Sequence, residues 1–384
     1  MNFDTLVSRE NTQAIKYTNL KNMYKREDIL SFWIADMDLP TAPAVVEAIK
    51  KRSEYPIFGY TSLSEDYYKS FCDWQERRNG WKPKQELLSF AINIVVAIQV
   101  TLEALLEAGD EVIVMPPVYF PFFKCIEQVG LKKVDCPLIK TDKTYKMDMD
   151  LLREQAKTAK AILLCSPHNP VGRVWDKEEL EEVVAIAKEH DLYILCDEIH
   201  SDLVFKKHTP LPSLSEDARE RTIYFNSTGK SFNLAGLHNG YILSPDREVQ
   251  EKIARTYAKN SIPGPSCFVE CGNVAAYNEG EAWFDEVLEY IKGNVDLVYD
   301  YITKELPEIK MIKPEGTYLL WLDFSGLNKS LEELDELLVQ EAGVGFGIGE
   351  WFGQGGHLYK RFNVACPRPM IEEALHRLKK AVKK

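Results

Sequence analysis

Short apolar runs alternate with longer helical patterns through the middle of the chain. The apolar runs lie near positions 111–115, 131–136, 161–165, 192–196, 222–226 and 239–243. Between them, apolar residues recur with the period of an α-helix near 97–108, 176–190 and 248–259. Because strands and helices alternate in this way, the pattern predicts a mostly parallel sheet that is covered by helices on both faces.

A different pattern follows in the C-terminal third. From Trp283 to Leu306, apolar residues recur with the helical period over about six turns, which is long enough for a helix that spans two domains. The run from Thr317 to Leu322 predicts a strand of a smaller C-terminal domain. Seven glycines from Gly343 to Gly356 predict a flexible loop, which is either a plain connection or a loop near the substrate.

Length and composition narrow the class of protein. A chain of 384 residues exceeds the size at which one hydrophobic core usually suffices, so we expect two domains. The net charge of −12 argues against nucleic acid or an anionic membrane as a partner, and no apolar run approaches ~18 residues. The first residues lack a secretion signal, and the eight cysteines contain no C-x-x-C pair. We therefore expect a cytoplasmic protein with reduced thiols and no bound metal.

A single lysine is the most informative residue of the chain. Lys230 follows the apolar run 222–226 and stands among small residues between Ser227 and Ser231, which places its amine at the junction of a strand and a turn. This setting is typical of the lysine that forms a Schiff base with pyridoxal phosphate, since burial and a neighbouring cation lower the pKa of such an amine. Taken alone, the motif is more often a surface turn. The interpretation therefore depends on the other partners of the cofactor.

Two further apolar runs end in side chains that suit this cofactor. Residues 193–196 lead to Asp197 and Glu198 at the expected carboxyl end of a parallel strand, where α/β sheets bind ligands. A carboxylate there keeps the pyridine nitrogen protonated, and strand alternation favours Asp197, although a helix N-cap is the alternative. Residues 161–165 lead to a turn that presents Asn169, either to the phenolic oxygen of the cofactor or as an ordinary Asn-Pro turn.

Three more segments offer groups for a flat, anionic ligand. The turn from Asn93 into the next helix presents free backbone N–H groups to a phosphate. Tyr119 follows a proline pair, so its ring either stacks on the cofactor or packs in the core. Arg361 belongs to an apolar C-terminal strand and suits bidentate binding of a carboxylate, although a surface salt bridge gives the same pattern. Together these features indicate a pyridoxal-phosphate site.

The sequence resembles the fold-type I pyridoxal-phosphate enzymes, the aspartate aminotransferase superfamily. The resemblance runs nearly end to end and is strongest to the cystathionine β-lyase branch, the C–S lyases of MalY/PatB type. Three segments resemble this branch rather than the general aminotransferase pattern, namely Trp33 to Asp38, Asp197 to His200 and Lys230 to Leu237. Further segments that carry the resemblance are Arg9 to Thr12, Lys16-Tyr17, Phe58 to Tyr60, Pro116 to Tyr119 and Cys165 to Pro170.

The resemblance implies which residues surround the cofactor ring. Lys230 would form the Schiff base, and Asp197 would pair with the pyridine nitrogen. Tyr119 would stack on the ring, and Asn169 would meet its phenolic oxygen. His200 occupies the position where many aminotransferases place a tyrosine against that oxygen, so we expect it to contact the cofactor as well.

The resemblance also implies the residues of the phosphate and of the substrate. Ser227 and the backbone of Asn93, Ile94 and Val95 would hold the phosphate. Tyr60 would reach the phosphate of the neighbouring subunit's cofactor and border the substrate there. Arg361 would bind the substrate carboxylate, and the backbone near Ala35 would close over the substrate.

Two positions depart from the family pattern. Asn93 stands where glycine is expected in the turn before the helix, and we expect the turn to survive because Asn tolerates a positive φ. His238 stands where aminotransferases usually carry a phosphate-binding arginine. This change argues mildly against an ordinary aminotransferase and leaves His238 without an assigned role.

The resemblance implies a fold and a reaction. It implies an α/β large domain with a mostly parallel seven-stranded sheet flanked by helices, plus a smaller α+β domain. Residues 1–45 would form an N-terminal arm and part of the small domain, 46–282 the large cofactor-binding domain, and 283–384 the interdomain helix and the C-terminal small domain. The expected protein is a homodimer with shared active sites that cleaves cystathionine or related cysteine S-conjugates to pyruvate, ammonia and a thiol. Two alternatives stay open: a PLP-dependent aminotransferase, and a PLP-binding regulatory protein that acts through a protein partner.

Overall fold

The computed structural model describes all residues from 1 to 384. Its strands form a seven-stranded sheet, a five-stranded sheet and a two-stranded ribbon. The strands are β1 (Leu30–Phe32), β2 (Leu88–Phe90), β3 (Glu111–Val114), β4 (Lys132–Asp135), β5 (Ile139–Lys140), β6 (Tyr145–Lys146), β7 (Ala161–Cys165), β8 (Tyr193–Asp197), β9 (Thr222–Asn226), β10 (Tyr241–Leu243), β11 (Lys310–Met311), β12 (Leu319–Asp323), β13 (Val344–Ile348) and β14 (Tyr359–Asn363).

Fifteen α-helices surround these sheets. Several begin at a side-chain cap, as at Ser64, Asp148 and Asp246, because the cap oxygen accepts a free N–H group of the first turn. The helices are α1 (Ile15–Thr18), α2 (Leu20–Tyr24), α3 (Pro43–Ser53), α4 (Glu65–Asn79), α5 (Ile94–Leu105), α6 (Pro121–Gln128), α7 (Met149–Ala156), α8 (Lys177–Glu189), α9 (Glu216–Arg221), α10 (Thr228–Ser231), α11 (Arg247–Lys259), α12 (Val269–Glu279), α13 (Glu281–Glu305), α14 (Leu331–Asp335) and α15 (Arg368–Val382).

The seven-stranded sheet aligns the strand ends that carry the predicted site residues. Its order is β2-β10-β9-β8-β7-β3-β4; all neighbours from β9 to β4 are parallel, and β10 is antiparallel to both of its neighbours. Cys165, Asp197 and Phe225 pair in register across β7, β8 and β9. The carboxyl ends of these strands therefore meet at one edge, which is where α/β sheets bind ligands.

The five-stranded sheet combines one strand from the N-terminal part of the chain with four strands from the C-terminal part. Its order is β1-β13-β14-β12-β11, with β1 parallel to β13 and the other pairs antiparallel. Helix α13 is 25 residues long, or ~38 Å, and it buries Val287, Ile291 and Val295 along one face. The N-terminal strand β1 thus belongs to the same sheet as Arg361 in β14.

The predicted alternation of strands and helices is confirmed through the large sheet, where β7 and β9 match the predicted runs residue for residue. The apolar pattern does not predict the edge strand β2 or helices α3 and α4, since these segments are short or rich in charged residues. The flexible-loop prediction is wrong for part of the glycine-rich segment. Val344–Ile348 is a mostly buried strand that pairing with β1 and β14 holds in place. No helix is both long and apolar enough to cross a membrane.

Candidate active site

A cavity of about 170 Å³ lies at the carboxyl edge of the seven-stranded sheet. Its walls come from the loops after β3, β7, β8 and β9 and from the start of α5. These loops converge because their strands are parallel neighbours. The cavity brings together ten residues predicted from the sequence: Ala35, Asn93, Ile94, Val95, Tyr119, Asn169, Asp197, His200, Ser227 and Lys230.

Lys230 projects from the short helix α10, directly after β9. Its Nζ atom donates a hydrogen bond to the carbonyl oxygen of Ala35 at 2.5 Å. Desolvation, followed by the positive charge of Arg361, lowers the pKa of Lys230 to about 8, although Asp36 and Asp197 oppose the shift. A substantial fraction of this amine is therefore neutral near pH 8, as attack on a carbonyl group requires.

Asp197 and Glu198 face different environments. Asp197 ends β8 in the cavity and accepts the N–H of Ile199 at 3.1 Å. This bond closes a turn, and no helix begins there, so the alternative of a helix N-cap is wrong. Burial raises the pKa of Asp197 to about 7, while the Ile199 N–H and Lys230 act in the opposite direction. Glu198 is buried elsewhere, where its carboxylate contacts His208 Nε2 at 2.6 Å and accepts the Leu211 N–H at 2.8 Å. Only Asp197 is available to a ligand in the cavity.

Arg361 is buried on β14, and its hydrogen-bond partners are neutral. One nitrogen donates to Oδ1 of Asn169 at 3.1 Å and another to the carbonyl oxygen of Trp33 at 2.9 Å. The guanidinium lies 5.0 Å from the centre of the Phe352 ring, and its Nε atom has no hydrogen-bond partner. Burial lowers the pKa of Arg361 to about 10. This environment differs from a surface salt bridge, and it leaves a buried cation beside the cavity without a carboxylate partner.

Tyr119 and His200 supply rings to the cavity wall. The Tyr119 ring packs edge-on against Phe122, with centroids 5.7 Å apart, so the core-packing alternative also holds in part. Burial raises the pKa of Tyr119 to about 12. His200 is buried, and desolvation together with Lys230 and Arg361 moves its pKa well below the usual range. The imidazole is therefore neutral, and its Nδ1 atom has no hydrogen-bond partner.

The phosphate end of the predicted site lies at the start of α5. The expectation that Asn93 adopts a positive φ is wrong, because its backbone is extended, with φ −167° and ψ 166°. Asn93 is instead the N-cap, since its side chain accepts the N–H of Val96 at 2.8 Å. Ile94 and Val95 begin the helix, so their N–H groups lack acceptors within it. Ser227 borders the same cavity, where its hydroxyl donates to the carbonyl oxygen of Asn239 at 2.8 Å.

Besides Arg361, which lies beside the cavity, two more residues singled out in the sequence are not part of its wall. Tyr60 belongs to the segment between α3 and α4, and its side chain is fully exposed. His238 is also exposed and adopts a left-handed conformation, with φ 55°. Within one chain, neither residue contributes to the cavity wall.

The structure adds a residue that the sequence pattern does not single out. The hydroxyl of Tyr318 donates to the carbonyl oxygen of Ala35 at 3.1 Å, the same oxygen that accepts from Lys230. The Tyr318 ring also packs edge-on against His200, with centroids 5.8 Å apart. In the sequence, Tyr318 is part of an apolar run and carries no signal of a site. Only the packing of one sheet against the other reveals its position.

The family described as aminotransferase class I and II matches residues 27–378 of the chain. The chain belongs to this family. Among curated relatives, the cystathionine β-lyase PatB of Bacillus subtilis (strain 168) is 36% identical over 386 residues, which cover 100% of both proteins. The similarity therefore extends over both sheets, beyond the site itself.

Solved structures show the same architecture. Cystalysin from Treponema denticola, which contains a pyridoxal 5′-phosphate cofactor, is 32% identical with a TM-score of 0.96, over 100% of this chain and 98% of that protein. A PLP-bound putative aminotransferase from Clostridium difficile 630 is 39% identical with a TM-score of 0.97, over 99% of both chains. The predicted fold class, a large α/β domain of PLP fold type I with a smaller second sheet, is confirmed.

Proposed function

We propose that this member of the aminotransferase class I and II family is a pyridoxal-phosphate-dependent C–S β-lyase. It cleaves L-cystathionine or related cysteine S-conjugates to pyruvate, ammonia and a thiol. One observation carries the proposal: the cavity holds both the amine of Lys230, with its lowered pKa, and the buried carboxyl group of Asp197. The full-length similarity to PatB, a cystathionine β-lyase, supports the choice of reaction. An aminotransferase is the second candidate, which the similarity to the Clostridium difficile protein favours.

The free groups of the cavity fit each polar part of pyridoxal phosphate. Lys230 offers an amine to the aldehyde, and Asp197 offers a carboxylate to the ring nitrogen. The Oδ1 atom of Asn169 already accepts from Arg361, so its NH₂ group can donate to the phenolic oxygen. His200 Nδ1 is buried without a partner, as expected of a group that meets a ligand. The free N–H groups at the start of α5 suit the phosphate.

The roles proposed for the protein residues follow from their positions. When bound, the cofactor supplies an electron sink that stabilises negative charge on the substrate Cα. Arg361 binds the substrate carboxylate, and Tyr119 packs against the ring. Lys230 Nζ removes the proton from Cα, which its lowered pKa permits near neutral pH. The C–S bond at Cβ then breaks, and sulfur leaves with the bonding electrons as a thiolate. The remaining three-carbon fragment leaves as 2-aminoacrylate, which tautomerises to an imine that one water molecule converts to pyruvate and ammonia. Asp197 would pair with the ring nitrogen and keep it protonated, which maintains the electron sink.

We also propose that two copies share their active sites. Tyr55, Ile57, Phe58 and Tyr60 are exposed apolar residues of one segment, and a second copy covers them. In this assembly Tyr60 contacts the phosphate in the neighbouring subunit. Tyr60→Phe should then weaken cofactor retention, and dilution to the monomer should abolish activity. A fully active monomer would contradict the shared site. Within each copy, we propose the domain boundaries that the sequence predicts, one after residue 45 and one after residue 282.

Incubation of the purified enzyme with L-cystathionine as the only substrate tests the proposed reaction. The expected result is release of free thiol and pyruvate in equal amounts, because one β-elimination produces both. A protein that retains pyridoxal phosphate but forms no pyruvate, no thiol and, when a 2-oxo acid is added, no new amino acid would match the regulatory alternative. S-alkyl and S-aryl cysteines should also be tested as substrates, because their relative rates identify which class of cysteine S-conjugate the enzyme prefers.

A further inference from the structure

The backbone between β1 and α3 touches two residues of the candidate site from different elements. We call residues 33–38 the connector. The carbonyl oxygen of Trp33 accepts from Arg361 at 2.9 Å, and the carbonyl oxygen of Ala35 accepts from Lys230 at 2.5 Å. Arg361 stands in the five-stranded sheet and Lys230 follows a strand of the seven-stranded sheet. One short stretch of backbone therefore accepts hydrogen bonds from both side chains and fixes their positions relative to each other.

Four charged side chains tie the connector to the N-terminal segment. Arg9 donates to Asp36 and Asp38, with both distances 2.8 Å. Lys16 Nζ lies 2.5 Å from Asp38 Oδ2 and 3.5 Å from Asp36 Oδ1. The hydroxyl of Tyr17 also donates to Asp38, at 3.1 Å. The two acids belong to the connector and the two cations to the N-terminal segment, so the charges balance within the cluster.

The cluster is divided into a buried half and an outer half. Lys16 and Asp38 are 0% and 4% exposed, and such residues are rarely buried unless they are paired. Removing either one would leave an unpaired buried charge and destabilise the fold. Arg9 and Asp36 are 25% and 22% exposed, so the outer pair can be changed with less damage. Asn363 holds the connector independently, donating to the carbonyl oxygens of residues 34 and 36.

We propose that the cluster of Arg9, Lys16, Asp36 and Asp38 is a positioning device for the active site. By fixing the connector, it aligns Lys230 with Arg361, and hence the base with the substrate carboxylate. None of its four members lines the cavity, so they contact neither the cofactor nor the substrate and position the site through the connector, while the charge of Asp36 also acts on Lys230 through space. The inference rests on the proposed roles of Lys230 and Arg361. It matters for catalysis because small errors in the alignment of reacting groups slow an enzyme strongly.

Arg9→Met tests the device, with Arg9→Lys as the conservative variant. Met keeps an unbranched apolar stem and removes the charge, whereas Lys restores a cation that reaches one acid. Arg153→Met is the matched control, since Arg153 pairs with Glu189 at 2.8 Å on a distant helix surface. The measurements are kcat and KM of the holoenzyme, and hydrogen exchange of residues 33–38 with and without cofactor.

Arg9→Met should lower kcat/KM roughly tenfold and speed hydrogen exchange of the connector by a similar factor, because it loses a charged hydrogen-bond pair. Exchange in α5 should not change, Arg9→Lys should recover most of the activity, and Arg153→Met should behave as wild type. Three results would overturn the inference: unchanged exchange of the connector, faster exchange of all segments alike, or no recovery with Lys. If the wild-type enzyme releases no thiol but transaminates, the proposed reaction fails, and the device stands only if Arg9→Met lowers that activity and Arg9→Lys restores it.

Discussion

Replacement of Asp197 by Asn removes one charge from the cavity and keeps the shape of the side chain. Asp197 is 4% exposed, so little water screens it from a cation bound at the ring nitrogen. Opposite charges about 4 Å apart interact by about 4 kcal/mol at an effective dielectric constant of about 20. Asn carries no charge, so the Asn variant lacks this attraction to the ring nitrogen. The ring then stabilises less well the negative charge that develops on the substrate Cα. Since each 1.36 kcal/mol changes the rate tenfold, kcat should fall by about 10³.

The assay is steady-state release of thiol from L-cystathionine, together with the absorbance of the bound cofactor. Asp197→Asn should retain most of the cofactor, because its attachment and the phosphate contacts are unchanged. Glu198→Gln is the matched control, since Glu198 undergoes the same chemical change but contacts His208 and the Leu211 N–H instead of the cavity. Its kcat should fall less than tenfold. A loss below tenfold in Asp197→Asn, or an equal loss in Glu198→Gln, would show that the wrong acid has been chosen.

Three further predictions concern the cations of the site. Lys230→Ala should abolish fixation of the cofactor by borohydride and reduce turnover below a few per cent; retained turnover, measured by thiol release, would contradict the assignment. Arg361→Ala should raise KM roughly 10- to 100-fold while the cofactor stays bound, because it removes the charged contact to the substrate carboxylate. In the cofactor-free protein, the neutral fraction of Lys230 rises as the pH passes its lowered pKa of about 8. The rate of covalent cofactor attachment should therefore rise with pH and level off above pH 8, and a midpoint near the ordinary lysine value of about 10.4 would refute this.

The large sheet and much of the site are predictable from the sequence for the same physical reason. Parallel strands are buried on both faces, so β7 and β9 appear as continuous apolar runs with clear ends. The residues that follow such ends converge at one edge. This explains why Asn169, Asp197 and Lys230 were found together in one cavity although they are far apart in the sequence.

Other features depend on contacts that a local pattern does not contain. The hydrogen bond from Lys230 to Ala35 joins residues separated by 195 positions, and it forms only when the N-terminal segment packs between the two sheets. The conformation of Asn93 was mispredicted because both a positive φ and an N-cap suit asparagine. The glycines of β13 resembled a loop, and only pairing with two neighbouring strands makes them part of a sheet.

The number of turnovers without a 2-oxo acid tests the central claim, that this site eliminates sulfur from Cβ. The enzyme is mixed with excess L-cystathionine, and pyruvate and thiol are counted per active site. A lyase regenerates the same form of the cofactor after each cycle, so both products should accumulate over many turnovers and in equal amounts. Conversion that stops at one equivalent per site without free thiol, and resumes when a 2-oxo acid is added, would contradict the account and identify an aminotransferase.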